Sequence, residues 1–357
     1  FVVYHIATKP TKQGLTEPRP KELQNDHVYS THLITLAYDE IYVLALEIIV
    51  YQCPSVTTIF VAKADSTGFG PDNSARLNLA HVTSAILSAF LESTVKENIP
   101  SRICLFARSQ PQYIFPESSK NIRKHVLSDR GLVKWWIRVL SPVLTSTFTD
   151  QILARIRIPG AESGDIKSII QAASQTNLWK EGDIFNSNSD RLTDKAVLHI
   201  PNFPDDPKSR FLDFIIAEGR ADCTSTEQFF IELETRQEFL LGAVVSLIGV
   251  QGSLKPTNGR YSSSPVSEFP CAVVDQKTYI KLHDSIVTST FENEESARNA
   301  TKSCTALLPE TARSIVSGSA KSFKKTNLAS STIAKPVTVI NSGLIRKRVK
   351  PPRTAPT

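Results

Sequence analysis

Residues 32–65 read HLITLAYDEIYVLALEIIVYQCPSVTTIFVAKAD, and three β-rich runs within them, 32–38, 40–53 and 57–65, set the architecture. Val, Ile, Tyr, Phe and Thr dominate each run, so the stretch reads as a meander of strands. The most apolar segment, Tyr42–Tyr51, is interrupted by Glu47 and has the length of a strand. No segment approaches the 18 or more apolar residues of a membrane helix, so no membrane partner is expected. The last run ends in VAKAD, and the chain beyond it changes character.

After Asp65 comes STGFGPDNSAR, rich in Gly, Pro, Asp and Asn, and then an amphipathic pattern from about Leu77 to Leu91 with Asp72, Asn73 or Ser74 as candidate caps. Strand, loop and helix in that order mark a place where ligands bind in α/β folds. The order recurs downstream: RICLFAR (102–108) is an apolar strand, SQPQYIFPESSKNIRKH a loop, and GLVKWWIRVL lies in a helix. Farther on, ILARIRIPG reads as a strand and GDIKSIIQAA as a short helix. LWKEGDIF reads as a turn with extended chain, FFIELETRQEF as a helix, and LLGAVVSLIGVQG as a buried strand. The fold class is α/β. At 357 residues with 41% hydrophobic content the chain can bury a large core, as one unit or two coupled lobes.

Charge divides the chain. Residues 311–357 hold ten Lys or Arg and no acid, which leaves −4 on the first 310 residues of a chain whose total is +6. The expected organisation is a body over residues 1–316 and a basic, extended tail over 317–357. A mildly acidic body suits a basic partner, and the tail suits nuclear addressing, acidic chaperones or nucleic acid. Direct nucleic-acid binding by the tail is compatible with this reading and not required by it. The five cysteines are scattered without a C-x-x-C pair, and the seven histidines form no metal-ligand spacing. Reduced thiols in an intracellular compartment and no metal site are expected.

Three clusters carry candidate chemistry. The first is Lys63–Asp65 at its strand end with Ser66, Gly68 and Arg76, where free N–H groups and a helix N-terminus suit a phosphate. The second runs from Arg108 to His125. Its cations Arg108, Lys120, Arg123, Lys124 and His125 and its apolar Tyr113, Ile114 and Phe115 suit a long ligand with an anionic end. The third is Trp135–Trp136, helix neighbours about 100° apart, so that one can enter the core while the other faces a cleft. Neither G-x-G-x-x-G nor a P-loop occurs, which disfavours other nucleotide-bearing donors.

Residues 202–211, NFPDDPKSRF, place two carboxylates between two prolines. The helix-entry reading makes Asp206 the N-cap and Pro207 the first helical residue, with Phe211, Phe214 and Ile215 on one face of a run from Lys208 to Glu218. One acid then caps while the other, Asp205, faces a cleft, or the two exchange roles.

Taken together, ICLFARSQPQYIFPESSKNIRKH, the KWW step, RIPG, LWKEGDIF and NFPDDPKSRF resemble the fungal histone acetyltransferases of the regulator of Ty transposition family, from about His32 to the basic C-terminus. The loop between Arg108 and Tyr113 differs in composition, and an expected long insertion around residues 92–101 is absent. The resemblance implies a central mixed β-sheet flanked by helices, similar in fold to the CREB-binding-protein type of acetyltransferase. It implies acetyl-CoA as cosubstrate, with no metal, and transfer to lysines of histone H-three, presented with its histone partner by an anti-silencing-function chaperone. A nucleosome-assembly-type chaperone and a nuclear location are implied as well.

The implied site has Asp206 as the cleft acid with Asp205 beside it, and Asp65 as a third carboxylate attracting the basic substrate. Trp136 and Tyr113 are implied as channel walls, with Tyr113 placed to protonate the departing thiolate. Ala64 and Phe106 would flank the pantetheine, and Ser66, Gln112, Arg108, Lys124, His125 and Arg76 would complete the coenzyme contacts. Lys208 is implied as a site of self-acetylation. Such chemistry must deprotonate a lysine of ordinary pKa near neutrality, a cost of roughly 4–5 kcal/mol, which a carboxylate in hydrogen-bond reach and a partly dry channel offset. The competing class is a non-catalytic module that binds histones or nucleic acid.

Overall fold

A computed structural model describes residues 1–12, 28–71, 77–95, 99–149, 151–174, 176–185, 194–236, 245–256 and 269–316. The meander is present as β3 (Val28–Tyr38), β4 (Ile41–Gln52) and β5 (Thr57–Ser66), all antiparallel neighbours. Every residue of β4 except Glu47 and Gln52 is apolar or aromatic and buried, the signature of a strand covered on both faces. Leu44, Leu46, Ile48 and Val50 enter one core, whereas Ile49 and Tyr51 enter a second and Ile41 and Ala45 a third. Side-chain alternation in a strand produces this division.

Around the meander the sheet is extended by β1 (Val2–Thr8), β6 (Ser101–Ala107), β7 (Leu153–Arg157), β8 (Trp179–Glu181), β9 (Ser246–Gly252) and β10 (Ala272–Val274). The strand order is β10-β1-β3-β4-β5-β6-β9-β7-β8. The two-residue β2 (Thr11–Lys12) pairs with β3, and β11 (Arg313–Ile315) pairs with β1. Parallel pairs (β5·β6, β7·β8, β1·β10) interrupt antiparallel ones, so the sheet is mixed, as expected.

One face carries α1 (Leu79–Thr94), α2 (Asp129–Thr147) and α3 (Ser163–Ala173). The opposite face is shared. The short α4 (Ala196–His199), α5 (Pro207–Ala217) and α6 (Thr226–Glu234) cover one part, and α7 (Gln276–Val287) and α8 (Glu294–Thr305) cover the other. The residue that caps α1 is Asn78, whose side chain accepts from the N–H groups of Ala80 and His81, a turn later than the expected caps. Those expected caps, Asp72, Asn73 and Ser74, lie outside the described residues, as does the basic tail 317–357. No described helix is long and apolar enough to cross a membrane.

The parallel pair β5·β6 positions the site. Both strands end on the same side, one at Ser66 and the other at Ala107, and their following loops lead to α1 and α2. A crevice lies at the carboxyl ends of the strands, the place where open α/β sheets hold ligands.

Candidate active site

Two connected pockets occupy the crevice. The smaller, about 490 Å³, is walled by Ala64, Phe106, Tyr113, Leu132, Trp135 and Trp136 and edged by Arg108, His125, Asp205 and Arg210. The larger, about 1370 Å³, includes Gly68, Arg123, Arg138 and Ser141 and shares Ser66, Leu79, His125 and Trp135 with the first. Chain regions near residues 65, 108–125, 135 and 205 therefore line one passage, although they are far apart in sequence. The smaller pocket sets Asp205 and the cations Arg108, His125 and Arg210 around an aromatic wall, and the larger adds Arg123 and Arg138.

Asp65 organises one wall. At the end of β5 it is 8% exposed, and its Oδ2 accepts from the backbone N–H groups of Tyr113 (2.8 Å), Ile114 (2.8 Å) and Phe115 (3.0 Å). Its Oδ1 accepts from its neighbour Ser66 N–H (2.8 Å) and from Lys124 Nζ (2.8 Å). Lys124 Nζ also donates to Ser118 Oγ at 2.7 Å. A carboxylate with five donors on it has no lone pair left for a substrate ammonium. The expectation that Asp65 attracts the substrate lysine is corrected: it fixes the loop that carries Tyr113. Lys124 is corrected with it, because its ammonium is spent inside the protein and does not face a phosphate.

The same anchoring sorts the loop's apolar residues. Ile114 and Phe115 are 1% and 0% exposed and pack in the core with Tyr42 and Phe291, so they do not line the passage as expected. Tyr113 stays at the surface of the pocket, its hydroxyl donating to the Arg108 carbonyl at 2.6 Å. Burial pushes its phenol up to about 12 against the opposing pull of Arg108, so the hydroxyl keeps its proton at neutral pH. Gly68, in the loop after Asp65, lets the Lys124 backbone pass close by: its φ is +85°, and a Cβ there would sit 2.6 Å from the Lys124 backbone nitrogen.

On the opposite wall the two acids separate. Asp206 is the N-cap of α5 and accepts from Lys208 N–H at 2.9 Å, and its Oδ2 pairs with Lys208 Nζ at 2.9 Å. Both side chains are enclosed, 1% and 3% exposed. Lys208 Nζ donates further to the Pro201 carbonyl at 2.7 Å and lies 5.0 Å from the Phe203 ring centre. Asp205 has a left-handed backbone, φ 55°, which a short polar side chain tolerates, and it is exposed at the passage. The assignment of Asp206 as the cleft acid is therefore corrected. Asp206 faces a separate small cavity with Cys104, Phe106 and Lys208, and Asp205 faces the passage.

Trp136 is 4% exposed and reaches the pocket from the core side. Trp135, which sequence reasoning did not assign to the site, lies edge-on to it at 4.8 Å and lines both pockets. A period of 3.6 residues separates neighbouring side chains but does not say that a groove is wide enough to take both. Ala64, Ser66, Phe106, Arg108 and His125 line the passage. Gln112 does not line it and instead accepts from Ser119 Oγ at 3.1 Å. Arg76 lies outside the described residues.

Comparison with known proteins bears on this architecture directly. The model of the histone acetyltransferase KAT11-type domain matches residues 1–95 and 80–306. Histone acetyltransferase rtt109 of Aspergillus flavus is 27% identical over 314 residues, a match covering 72% of this chain and 56% of that protein. The Schizosaccharomyces pombe protein of the same name is 28% identical over 315 residues, covering 84% and 80% of the two chains. The Candida albicans one is 38% identical over 148 residues, covering 42% and 38%. The crystal structure of Rtt109 from Aspergillus fumigatus shares the fold, with a TM-score of 0.71 and 24% identity over 87% of this chain and 92% of that one. The chain spans little more than half of the first of these relatives. A family model that runs through β1–β5, the crevice and on to α8 leaves one conclusion: this chain belongs to the family of KAT11-type histone acetyltransferases.

Proposed function

We propose that this protein transfers acetyl groups from acetyl-CoA to lysine side chains of histone H-three, and that the passage between Asp205 and the Arg108–His125 loop is where it does so. The observation that carries the reading is one continuous passage in which the aromatic wall of Phe106, Tyr113, Trp135 and Trp136 and the exposed acid Asp205 meet the cations Arg108, His125, Arg123 and Arg138. Bound acetyl-CoA supplies an activated thioester. An elongated anionic molecule fits these residues: Arg108 and His125, with Arg123 and Arg138 in the outer pocket, suit phosphates, while Ala64 and Phe106 flank a slender chain.

Each residue's role follows from its placement. Trp135, Trp136 and Phe106 exclude water, which disfavours the ammonium form of an entering lysine. Asp205, exposed where the groove opens, attracts that lysine and accepts its proton as the nitrogen becomes nucleophilic. The Tyr113 hydroxyl, protonated at working pH, moves from the Arg108 carbonyl to protonate the leaving sulfur. Asp65 and Lys124 act through Tyr113 by holding its loop, and are positioning residues. Lys208 is proposed as a self-acetylated lysine. Acetylation removes its charge, and the amide N–H that remains can still donate to the Pro201 carbonyl or to Asp206.

The acidic body suits a basic histone pair delivered by an anti-silencing-function chaperone, with a nucleosome-assembly-type chaperone as a second partner. The tail over 317–357 is proposed as a separate element that directs the body, residues 1–316, to the nucleus. The test is transfer of labelled acetyl to histone H-three with and without each chaperone. Asp205→Asn is expected to lower kcat about 10–100-fold, and Tyr113→Phe by a similar factor, within the range of a lost proton-transfer group. Histone binding without any transfer under all conditions identifies a binding module and overturns the proposal.

A further inference from the structure

We propose that His5, His32 and Cys271 form a binding site for Zn2+ or a cation of the same borderline-soft class. The site joins β1, β3 and the entry to β10, strands that contribute no residue to the acetyltransfer passage. His5 and His32 are 27 residues apart, and Cys271 lies at the far end of the body, so no ligand spacing announces the group in the sequence.

The sheet register brings the three together. In the antiparallel β1·β3 pair His5 stands opposite Ile34 and His32 opposite Ala7, so the two imidazoles lie diagonally on one face. In the parallel β1·β10 pair Ile6 stands opposite Ala272, which puts Cys271 beside His5. One ligand atom from each residue lies within 4.8 Å of the other two, and His5 Nε2 is 3.0 Å from His32 Nδ1. Tetrahedral zinc with nitrogen and sulfur ligands needs such atoms roughly 3.3–3.6 Å apart, a spacing that small rotamer changes reach from here.

The outward-facing nitrogens are also set up for a metal. His32 Nε2 has the Ser30 hydroxyl at 2.8 Å. His5 Nδ1 is buried beside the Pro270 backbone without completing a hydrogen bond. Without a cation, one proton bridges the facing nitrogens and a second sits on His5 Nδ1, aimed at Pro270 without completing a hydrogen bond. A cation on His5 Nε2 and His32 Nδ1 forces the remaining protons onto the outer nitrogens, aimed at Pro270 and Ser30, the second layer that orients metal-bound histidines. Phe90 and Phe269 pack on the imidazoles. Two imidazoles and a thiolate suit zinc better than hard cations, and coordination releases the Cys271 thiol proton to solvent, which its partial exposure allows. The fourth position is left to water.

The test uses the whole chain, stripped with chelator under reducing conditions and titrated with Co2+ and Zn2+. One equivalent of Co2+ is expected, with the visible bands of a tetrahedral site and a thiolate-to-cobalt charge-transfer band, and Zn2+ should displace it and raise Tm. Cys271→Ser, a change at a half-exposed position, should remove the charge-transfer band and weaken Zn2+ binding by more than about 100-fold. Ser30→Ala should weaken it about 10-fold, and Cys223→Ser should change nothing. Binding of less than one equivalent by the parent chain, or a parent spectrum identical to that of Cys271→Ser, overturns the proposal.

Discussion

Two buried Asp–Lys pairs lie behind the walls of the passage, and they are built in opposite ways. Asp65 and Lys124 meet at 2.8 Å across 59 residues, with three backbone N–H groups of a third segment on the same carboxylate. Asp206 and Lys208 meet at 2.9 Å within a single helix entry, and the carboxylate caps that helix. The first is a tertiary clamp and the second a local one. In each case a charge is taken out of water only because hydrogen bonds occupy it from several sides, and removing one partner strands the other. The difference lies in what else falls: the tertiary clamp holds the loop that carries Tyr113, and the local clamp holds one turn.

Substitutions can break that comparison. Asp65→Ala should have the largest effect, because it strands the Lys124 ammonium and three backbone donors together. A loss of about 5 kcal/mol or more is expected in urea unfolding, or failure of the body to fold, since a broken buried pair costs about 3–5 kcal/mol and each orphaned donor adds about 1–3. A loss below about 1 kcal/mol would mean that the loop stands without its clamp. Asp206→Ala should cost about 3–5 kcal/mol by the same logic, the helix cap included. Combining Asp206→Asn with Lys208→Met should recover most of this, because no buried charge then lacks a partner. If the double variant is as unstable as Asp206→Ala, the pair is not local in its energetics. Gly68→Ala should be the mildest of the three, at about 1–3 kcal/mol, because it forces a left-handed residue against the Lys124 backbone. Its effect on kcat should exceed that of an alanine at Gly160, which also has a positive φ but where a Cβ would meet nothing within 4 Å.

The comparison also explains which parts of the site were legible in the sequence. The helix entry at Pro207 was readable because its signals, an acid, a proline and an apolar face, sit within ten residues and act through local geometry. The strands and helices of residues 28–185 were readable for the same reason, since period and turn chemistry are short-range. The Asp65 clamp was not, because an aspartate at a strand end looks the same whether its oxygens meet water, a ligand or the loop at Tyr113. Strand β1 also escaped sequence reading, as did α7 and α8: VVYHIAT is a short apolar run, and α8 is mainly polar, with its apolar contacts coming from Ala297, Ala300 and Cys304.

By itself the sequence determined the α/β class, the order of elements from about residue 32 to 185, the family, and the set of residues from which a site would be drawn. Tertiary structure decided which of them face the passage. Asp205 and Asp206 are separated by one peptide bond, yet a left-handed φ of 55° at the first and an extended φ of −94° at the second send one carboxylate outward and the other into the protein. Lys208, itself held by the Pro201 carbonyl and the Phe203 ring, then fixes the inward carboxylate. At Asp65 the same question is settled by Lys124 and the backbone of Tyr113–Phe115: a carboxylate's role is set by the donors that reach it, and there most come from segments that its own neighbourhood in the chain does not specify.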